Sequence, residues 1–198
     1  MEKPKERKIS EGAEAIIYLM EFPFLKIIKK VRIEKKYREK TLDYKLRFSR
    51  TKIEAKILHK AKEVSVPCPY VLGVEGDFLL LQYLEGATLN NFSKVPNIYL
   101  EQSARYLANL HKADIIHGDY TFANLFLTKN KKLYVIDFGL SFISHDSEDK
   151  AVDLLTMLKS LPKNKANLFA IYYEKFGDGK IVQLAKKIQK RARYEERN

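Results

Sequence analysis

A chain of 198 residues with 45% hydrophobic content is long enough to bury a core of its own. Its single cysteine, Cys68, rules out an internal disulfide and its four scattered histidines lack the spacing of a structural zinc site; a charged N-terminus and no run of about eighteen apolar residues argue against a signal peptide or membrane span, so a cytoplasmic protein is expected. The formal net charge of +12 implies attraction to a polyanion or to an acidic partner surface.

Ala15, Ile17 and Leu19 alternate as one face of a short strand, and the apolar run Phe22 to Ile28 follows after a turn, which predicts a hairpin. Leu42, Leu46, Ile53, Ile57, Leu58 and Ala61 recur at helical spacing, as one long helix between Thr41 and Val64 or two with a break near Ser49. Beyond Pro67 and Pro69, Tyr70 to Val74 and Phe78 to Tyr83 read as a strand pair around Glu75-Gly76-Asp77, and Glu85-Gly86 ends the sheet. Ile98 to Lys112 is helical, and Leu125 to Leu127 with Leu133 to Ile136 form a short hairpin across Lys129-Asn130-Lys131. Helices are predicted from Glu148 to Leu161, Lys163 to Phe176 and Lys180 to Arg193, separated by Pro162 and by Gly177-Asp178-Gly179. The pattern is α+β, a single two-lobed domain with a β-rich lobe over about residues 1–84 and a helical lobe with a basic tail over 85–198.

The charge is uneven. Lys26 to Lys56 holds thirteen Lys or Arg against four acids, and Lys180 to Asn198 holds seven bases against two acids. Such patches suit a polyanion or an acidic partner surface, whereas a solvated lysine-rich face is the plainer alternative. The tail has little apolar content beyond Tyr194 and is expected not to pack.

The most informative stretch is Ile116-His117-Gly118-Asp119-Tyr120-Thr121-Phe122-Ala123-Asn124, followed thirteen residues after the asparagine by Asp137-Phe138-Gly139. The pair resembles the catalytic loop and metal-binding tripeptide of protein kinases. Phosphoryl transfer needs negative charge neutralised at the β- and γ-phosphates while a hydroxyl or water is aimed at phosphorus. Asp119 would orient that nucleophile and take its proton; Asn124 and Asp137 would hold Mg²⁺ against the phosphates of ATP. Either motif alone occurs by chance, but both together, each beside an apolar strand, point to phosphotransferase chemistry. Upstream, Lys30 at the end of the apolar strand Phe24 to Ile28 and Glu54 on the following helix are candidates for the phosphate-binding lysine and its orienting glutamate.

Lys30-Val31-Arg32, Lys36-Tyr37-Arg38, Leu42-Asp43, Arg50-Thr51 and Glu54-Ala55, with Glu148-Asp149-Lys150-Ala151-Val152-Asp153-Leu154 after the Asp-Phe-Gly, resemble the signature of the KEOPS-complex kinases. The resemblance runs from Glu11-Gly12-Ala13-Glu14-Ala15 to the basic tail and implies a minimal bilobal protein-kinase-like fold. It also implies an atypical Ser/Thr kinase or ATPase that supports threonylcarbamoyladenosine formation on tRNA beside a transferase subunit and the other subunits of the complex. By the same resemblance Glu11, Gly12, Ala13, Glu14 and Ala15 form the phosphate-covering loop. Gln82 and Leu84, in Leu81-Gln82-Tyr83-Leu84-Glu85-Gly86, offer their backbone to adenine. Asp153 resembles the buried kinase aspartate that hydrogen-bonds the catalytic-loop backbone, which implies a supporting role for it beside His117.

Gly118 stands where ordinary protein kinases carry the arginine that grips a phosphorylated activation loop, and Thr121 where many place a lysine. Only eight residues, Leu140 to Ser147, separate the Asp-Phe-Gly from Glu148, and no Ala-Pro-Glu follows. The activation segment is therefore truncated and a docking platform for peptide substrates is not expected. Two competitors are a small-molecule phosphotransferase of the aminoglycoside or choline kinase type, which would need helical insertions, and a non-catalytic RNA or protein scaffold, which has no use for Lys30, Asp119, Asn124 and Asp137 together.

Overall fold

The structure, a computed structural model, describes residues 4–195. The chain divides into two compact units, Met1–Lys60 with Pro69–Glu85 and Ala61–Cys68 with Gly86–Asn198.

The first unit is an antiparallel sheet of five strands, β1 (Lys5–Glu11), β2 (Ala15–Glu21), β3 (Lys26–Arg32), β4 (Val71–Glu75) and β5 (Phe78–Gln82), in the order β1-β2-β3-β5-β4. Helix α1 (Lys40–Glu63) begins in this unit, and its last turn belongs to the second. Of the two readings, one long helix or two, it takes the first: it runs through Ser49, which is exposed, and the Thr51 hydroxyl donates to the Arg47 carbonyl one turn back at 2.8 Å. Leu19, Leu79, Ile57 and Leu58 are buried, as their spacing requires. The β2–β3 hairpin forms in the register Ile17↔Lys30 and Ile28↔Leu19, but its second strand is displaced from the expected run. Phe24 is fully exposed in the turn, and the strand continues through Lys29, Lys30 and Arg32. Lys30 therefore lies inside the strand, paired with Ile17 and Leu79, and does not end it. Strand β1 was not expected, and none of its seven residues is buried.

In the second unit, α2 (Asn97–Lys112) packs on α4 (Lys163–Phe176), and α3 (Ser147–Ser160) packs on α5 (Gly179–Glu195). Pro96 precedes α2 and Pro162 precedes α4, where a missing N–H costs nothing. Asp146 caps α3, its side chain accepting from the Glu148 amide at 2.8 Å, with Glu148 and Asp149 in the first turn. Leu107, Leu110, Leu154, Met157, Phe169, Ile181, Val182 and Ala185 fill the core. The basic tail continues α5 as far as Glu195, and the first two turns of that helix are anchored by Ile181, Val182 and Ala185, whereas Lys186, Lys187, Lys190 and Arg191 are exposed. Residues 196–198 of that tail lie outside the described residues.

Two small sheets carry the loops of interest. Strands β6 (Gly86–Thr88), β8 (Leu125–Thr128) and β9 (Leu133–Val135) are ordered β6-β8-β9, and β7 (Ile115–Ile116) pairs with β10 (Phe142–Ile143). Glu85-Gly86 thus leads from one sheet into another. Among the described residues no helix is long and apolar enough to cross a membrane.

Candidate active site

In the second unit, the loop His117 to Asn124 leaves β7 and enters β8. Its backbone is held from α3. Asp153 is buried, and its Oδ2 accepts from the His117 amide at 2.8 Å while Oδ1 accepts from the Gly118 amide at 3.0 Å. Burial alone would push the Asp153 carboxyl up, yet His111 and the loop hold it below the ordinary carboxylate value. His111, on α2, lies with Nε2 3.2 Å from Asp153 Oδ2 and Nδ1 2.7 Å from the Tyr173 hydroxyl of α4. The Ser141 hydroxyl donates to the His117 carbonyl at 2.8 Å, which ties the segment after Asp137-Phe138-Gly139 to the same loop.

Gly118 has φ +82°, and a Cβ there would sit 2.5 Å from the Leu140 carbonyl oxygen. The backbone itself therefore excludes the arginine that ordinary protein kinases carry at this place. His117 is buried between Phe138 and Tyr120, at ring separations of 4.7 and 5.3 Å. Its Nδ1 accepts from the Asp119 amide at 3.3 Å, so Nε2 carries the proton and donates to the Ile136 carbonyl at 3.2 Å. Burial pushes the imidazole below its ordinary value, against the opposing pull of Asp153.

Asn124 joins the two motifs. Its Nδ2 donates to both the carbonyl and Oδ2 of Asp119, each at 2.8 Å, and its own carbonyl accepts from the Ile136 amide at 2.9 Å. The β8–β9 register, Leu125↔Val135, thereby sets Asn124 beside the start of the Asp-Phe-Gly. Asp137 adopts φ +59°, a left-handed conformation uncommon outside glycine, with its Oδ1 accepting from the Gly139 amide at 3.2 Å. Strain of this kind collects at functional turns. With its amide nitrogen committed to Asp119, Asn124 has its side-chain oxygen left to ligate a cation, and the oxygens of Asn124 and Asp137 are the hard donors that Mg²⁺ prefers. Among the described residues no cluster of three or more His, Cys, Asp or Glu could hold a metal unaided.

In the first unit, Lys30 Nζ donates to Glu54 Oε1 at 2.6 Å, and both side chains are buried. A residue absent from the sequence candidates joins them: Arg32 Nη2 donates to Glu54 Oε2 at 2.7 Å. The i, i+2 spacing on β3 that puts Arg32 on the face of Lys30 was the available signal. Residues Gly12 to Glu14 turn β1 into β2, the Gly12 amide donating to the Ala15 carbonyl at 3.0 Å. Glu11 ends β1, and Ala15 opens β2. Lys35 Nζ donates to the Ala13 carbonyl at 2.6 Å, and Glu14 pairs with Arg50 at 3.1 Å. Gln82 ends β5 with its amide committed to the Tyr70 carbonyl at 2.8 Å, so only its carbonyl could serve a base edge. Leu84 lies in the irregular segment beyond.

Comparison with known proteins places this geometry in a family. Residues 16–157 match the RIO domain. The chain is 36% identical over 197 residues to a probable serine/threonine-protein kinase, a BUD32 homolog of Archaeoglobus fulgidus, covering 96% of this chain and 97% of that one. It is likewise 36% identical over 214 residues to the KEOPS complex subunit Bud32 of Pyrococcus abyssi, covering 96% of this chain and 97% of that protein. A probable bifunctional tRNA threonylcarbamoyladenosine biosynthesis protein of Methanocaldococcus jannaschii is 35% identical; the alignment covers 98% of this chain and 39% of that protein. Among solved structures, the Rio2 kinase of Chaetomium thermophilum in complex with ADP/Mg²⁺ and phosphoaspartate superposes with a TM-score of 0.69 over 96% of this chain and 72% of that one; at 13% identity this shows the fold alone.

Proposed function

The chain belongs to the RIO-domain family of protein-kinase-like proteins, in its Bud32 branch, and from that premise we propose that it is an atypical serine/threonine kinase or ATPase using Mg-ATP in support of threonylcarbamoyladenosine modification of tRNA. Similarity to Bud32 proteins over nearly their whole length supports this reading over a small-molecule kinase or a scaffold. Its setting is a KEOPS-type complex, beside the subunit that performs the transfer, with tRNA contact through basic surfaces.

The observation that carries the chemistry is the Asp119–Asn124 pair, clamped to a loop whose amides are held by Asp153. A preorganised carboxylate costs no reorganisation at the moment of reaction. Asp119 orients the attacking hydroxyl or water and accepts its proton at the carboxylate. The Asn124 side-chain oxygen and Asp137 would hold Mg²⁺, which when bound neutralises charge on the phosphates. Lys30, aimed by Glu54, binds phosphate, and the Glu11 to Ala15 turn covers it. The Gln82 carbonyl and the Leu84 backbone meet the adenine edge.

Mg-ATP should raise the melting temperature of the chain, because a ligand of the folded state stabilises it by mass action. Asp137→Ala should remove most of that rise. Asp119→Ala should keep it and lower phosphate release about 10²–10⁴-fold, the usual worth of a positioned base. Wild-type turnover in Asp119→Ala, or no thermal shift at saturating Mg-ATP, would reject the assignment.

A further inference from the structure

Glu54 is held by two cations at once. Strand alternation turns Lys30 and Arg32 to the same face of β3, and both meet the one carboxylate that α1 presents there. The oxygens are divided, Oε1 to Lys30 at 2.6 Å and Oε2 to Arg32 at 2.7 Å. Arg32 reaches further. The same guanidinium nitrogen lies 3.5 Å from the carbonyl of Arg50, one turn before Glu54 on α1, and the Arg32 amide donates to the Asp77 carbonyl in the β4–β5 turn at 3.1 Å. Asp77 in turn pairs with Arg47 of α1, whose Nε donates to Asp43 at 2.7 Å. Arg32 thus joins β3, the β4–β5 turn and α1 around a carboxylate that is only 2% exposed.

The two cations are suited to different tasks. A guanidinium is planar, always charged and rigid in its fork, so it makes a permanent partner. An ammonium carries three donors on a flexible stem and can share them with an incoming anion. Were Lys30 the sole partner of Glu54, turning toward a phosphate would weaken the pairing of a buried carboxylate, which is costly. With Oε2 fixed by Arg32, Glu54 stays paired and Oε1 stays aimed while Lys30 engages a ligand.

Resting on the reading of Lys30 as the phosphate-binding cation, we propose that Arg32 is the positioning residue of Lys30, acting through Glu54 to hold α1 and the lysine in their working arrangement without any activation-loop signal. The test uses the full chain carrying Arg32→Met, Arg32→Lys, Glu54→Gln, or Arg32→Met with Glu54→Gln, each assayed for Mg-ATP turnover below its melting temperature. Arg32→Met should lose at least tenfold in kcat with a smaller change in KM. Arg32→Lys should recover part of the loss, and the double variant should be no worse than Glu54→Gln, because both act on one pair. Turnover within twofold of wild type in Arg32→Met, or losses that multiply in the double variant, overturns the proposal. If Arg32→Met does not fold, Arg32→Lys decides: a several-fold lower kcat at an unchanged melting temperature supports it, and wild-type kcat rejects it. A nucleotide-free readout separates the proposal from the reading beneath it. The ¹⁵Nζ resonance of Lys30 should be protected in the wild type and lose its protection in the Arg32 variants; a resonance indifferent to Arg32 refutes the positioning role. A wild type that ignores Mg-ATP while its Lys30 resonance responds to Arg32 would remove the phosphate assignment and leave the positioning in place.

Discussion

His117 uses both ring nitrogens in its neutral form, one accepting from the Asp119 amide and one donating to Ile136. A second proton would set two donors face to face at Nδ1 beside Asp119, and burial disfavours the charge as well. The sign follows from linkage. With the folded pKa below the ordinary value, the unfolded chain takes its proton first, near pH ~6.5. The contribution of His117 to stability is therefore complete above that pH and declines as the pH falls below it. Urea midpoints of the wild type and of His117→Gln, whose amide can also donate and accept, should diverge above pH ~6.5 and converge below it; a constant offset would show that His117 does not titrate in this way. Gly118 belongs to the same scale. Its place in the sequence reads as a lost arginine, yet φ +82° and the Leu140 carbonyl give it a backbone reason to be glycine.

Among the elements, α5 separates into an anchored start and a basic end. Ile181, Val182 and Ala185 are buried against the helical core, whereas Lys186 and Lys187 are exposed. Ile181→Ala should cost about 2–5 kcal/mol, as for other buried aliphatic truncations. Deleting residues 188–198 should leave the melting temperature and Mg-ATP binding close to those of the full chain while removing stimulation of phosphate release by the partner complex and tRNA. Equal stimulation of both forms would deny the helix end that role. Most helices were legible because apolar spacing and prolines mark them. The strands were less so, and β3 shows why. Its apolar run reads as Phe22 to Ile28, but the strand continues through Lys30 and Arg32, which are buried and paired with Glu54 on another element. Periodicity counts apolar residues and cannot see a tertiary ion pair. Strand β1 has Ile9 as its one large apolar residue and exists by backbone pairing with β2, while β7 and β10 contribute only two residues each. Asp119, Asn124 and Asp137 stood out as a motif; His111, Ser141 and Tyr173, which support the loop, sit at core spacings that carry no such mark.

For the whole molecule, net charge overstates what a partner would meet. Of the thirteen cations from Lys26 to Lys56, eight are in ion pairs among the described residues: Lys26, Lys29, Lys30, Arg32, Lys35, Arg38, Arg47 and Arg50, with acids that include Glu6, Glu14, Glu21 and Asp77 from outside the segment. Lys36, Lys40, Lys45, Lys52 and Lys56 are exposed. Three of these, Lys45, Lys52 and Lys56, fall on one stripe of α1, beside exposed Leu42, Leu46 and Ile53. If the stripe meets the phosphate backbone of tRNA, each phosphate it neutralises releases counterions and steepens the slope of log K against log salt by roughly 0.7–0.9, the range for single strands and B-DNA. Replacing Lys45, Lys52 and Lys56 together with glutamine should then make the slope for tRNA shallower by about 2–3. The replacement should not alter Mg-ATP turnover by the isolated chain, since none of the three touches Lys30, Glu54 or the Asp119 loop in any hydrogen bond or ion pair among the described residues. The measurement is a tRNA binding isotherm repeated over a salt series for both proteins. A triple variant that keeps the wild-type slope shows that these lysines do not contact RNA phosphates, and the apolar residues beside them then make a protein surface the better candidate for this face.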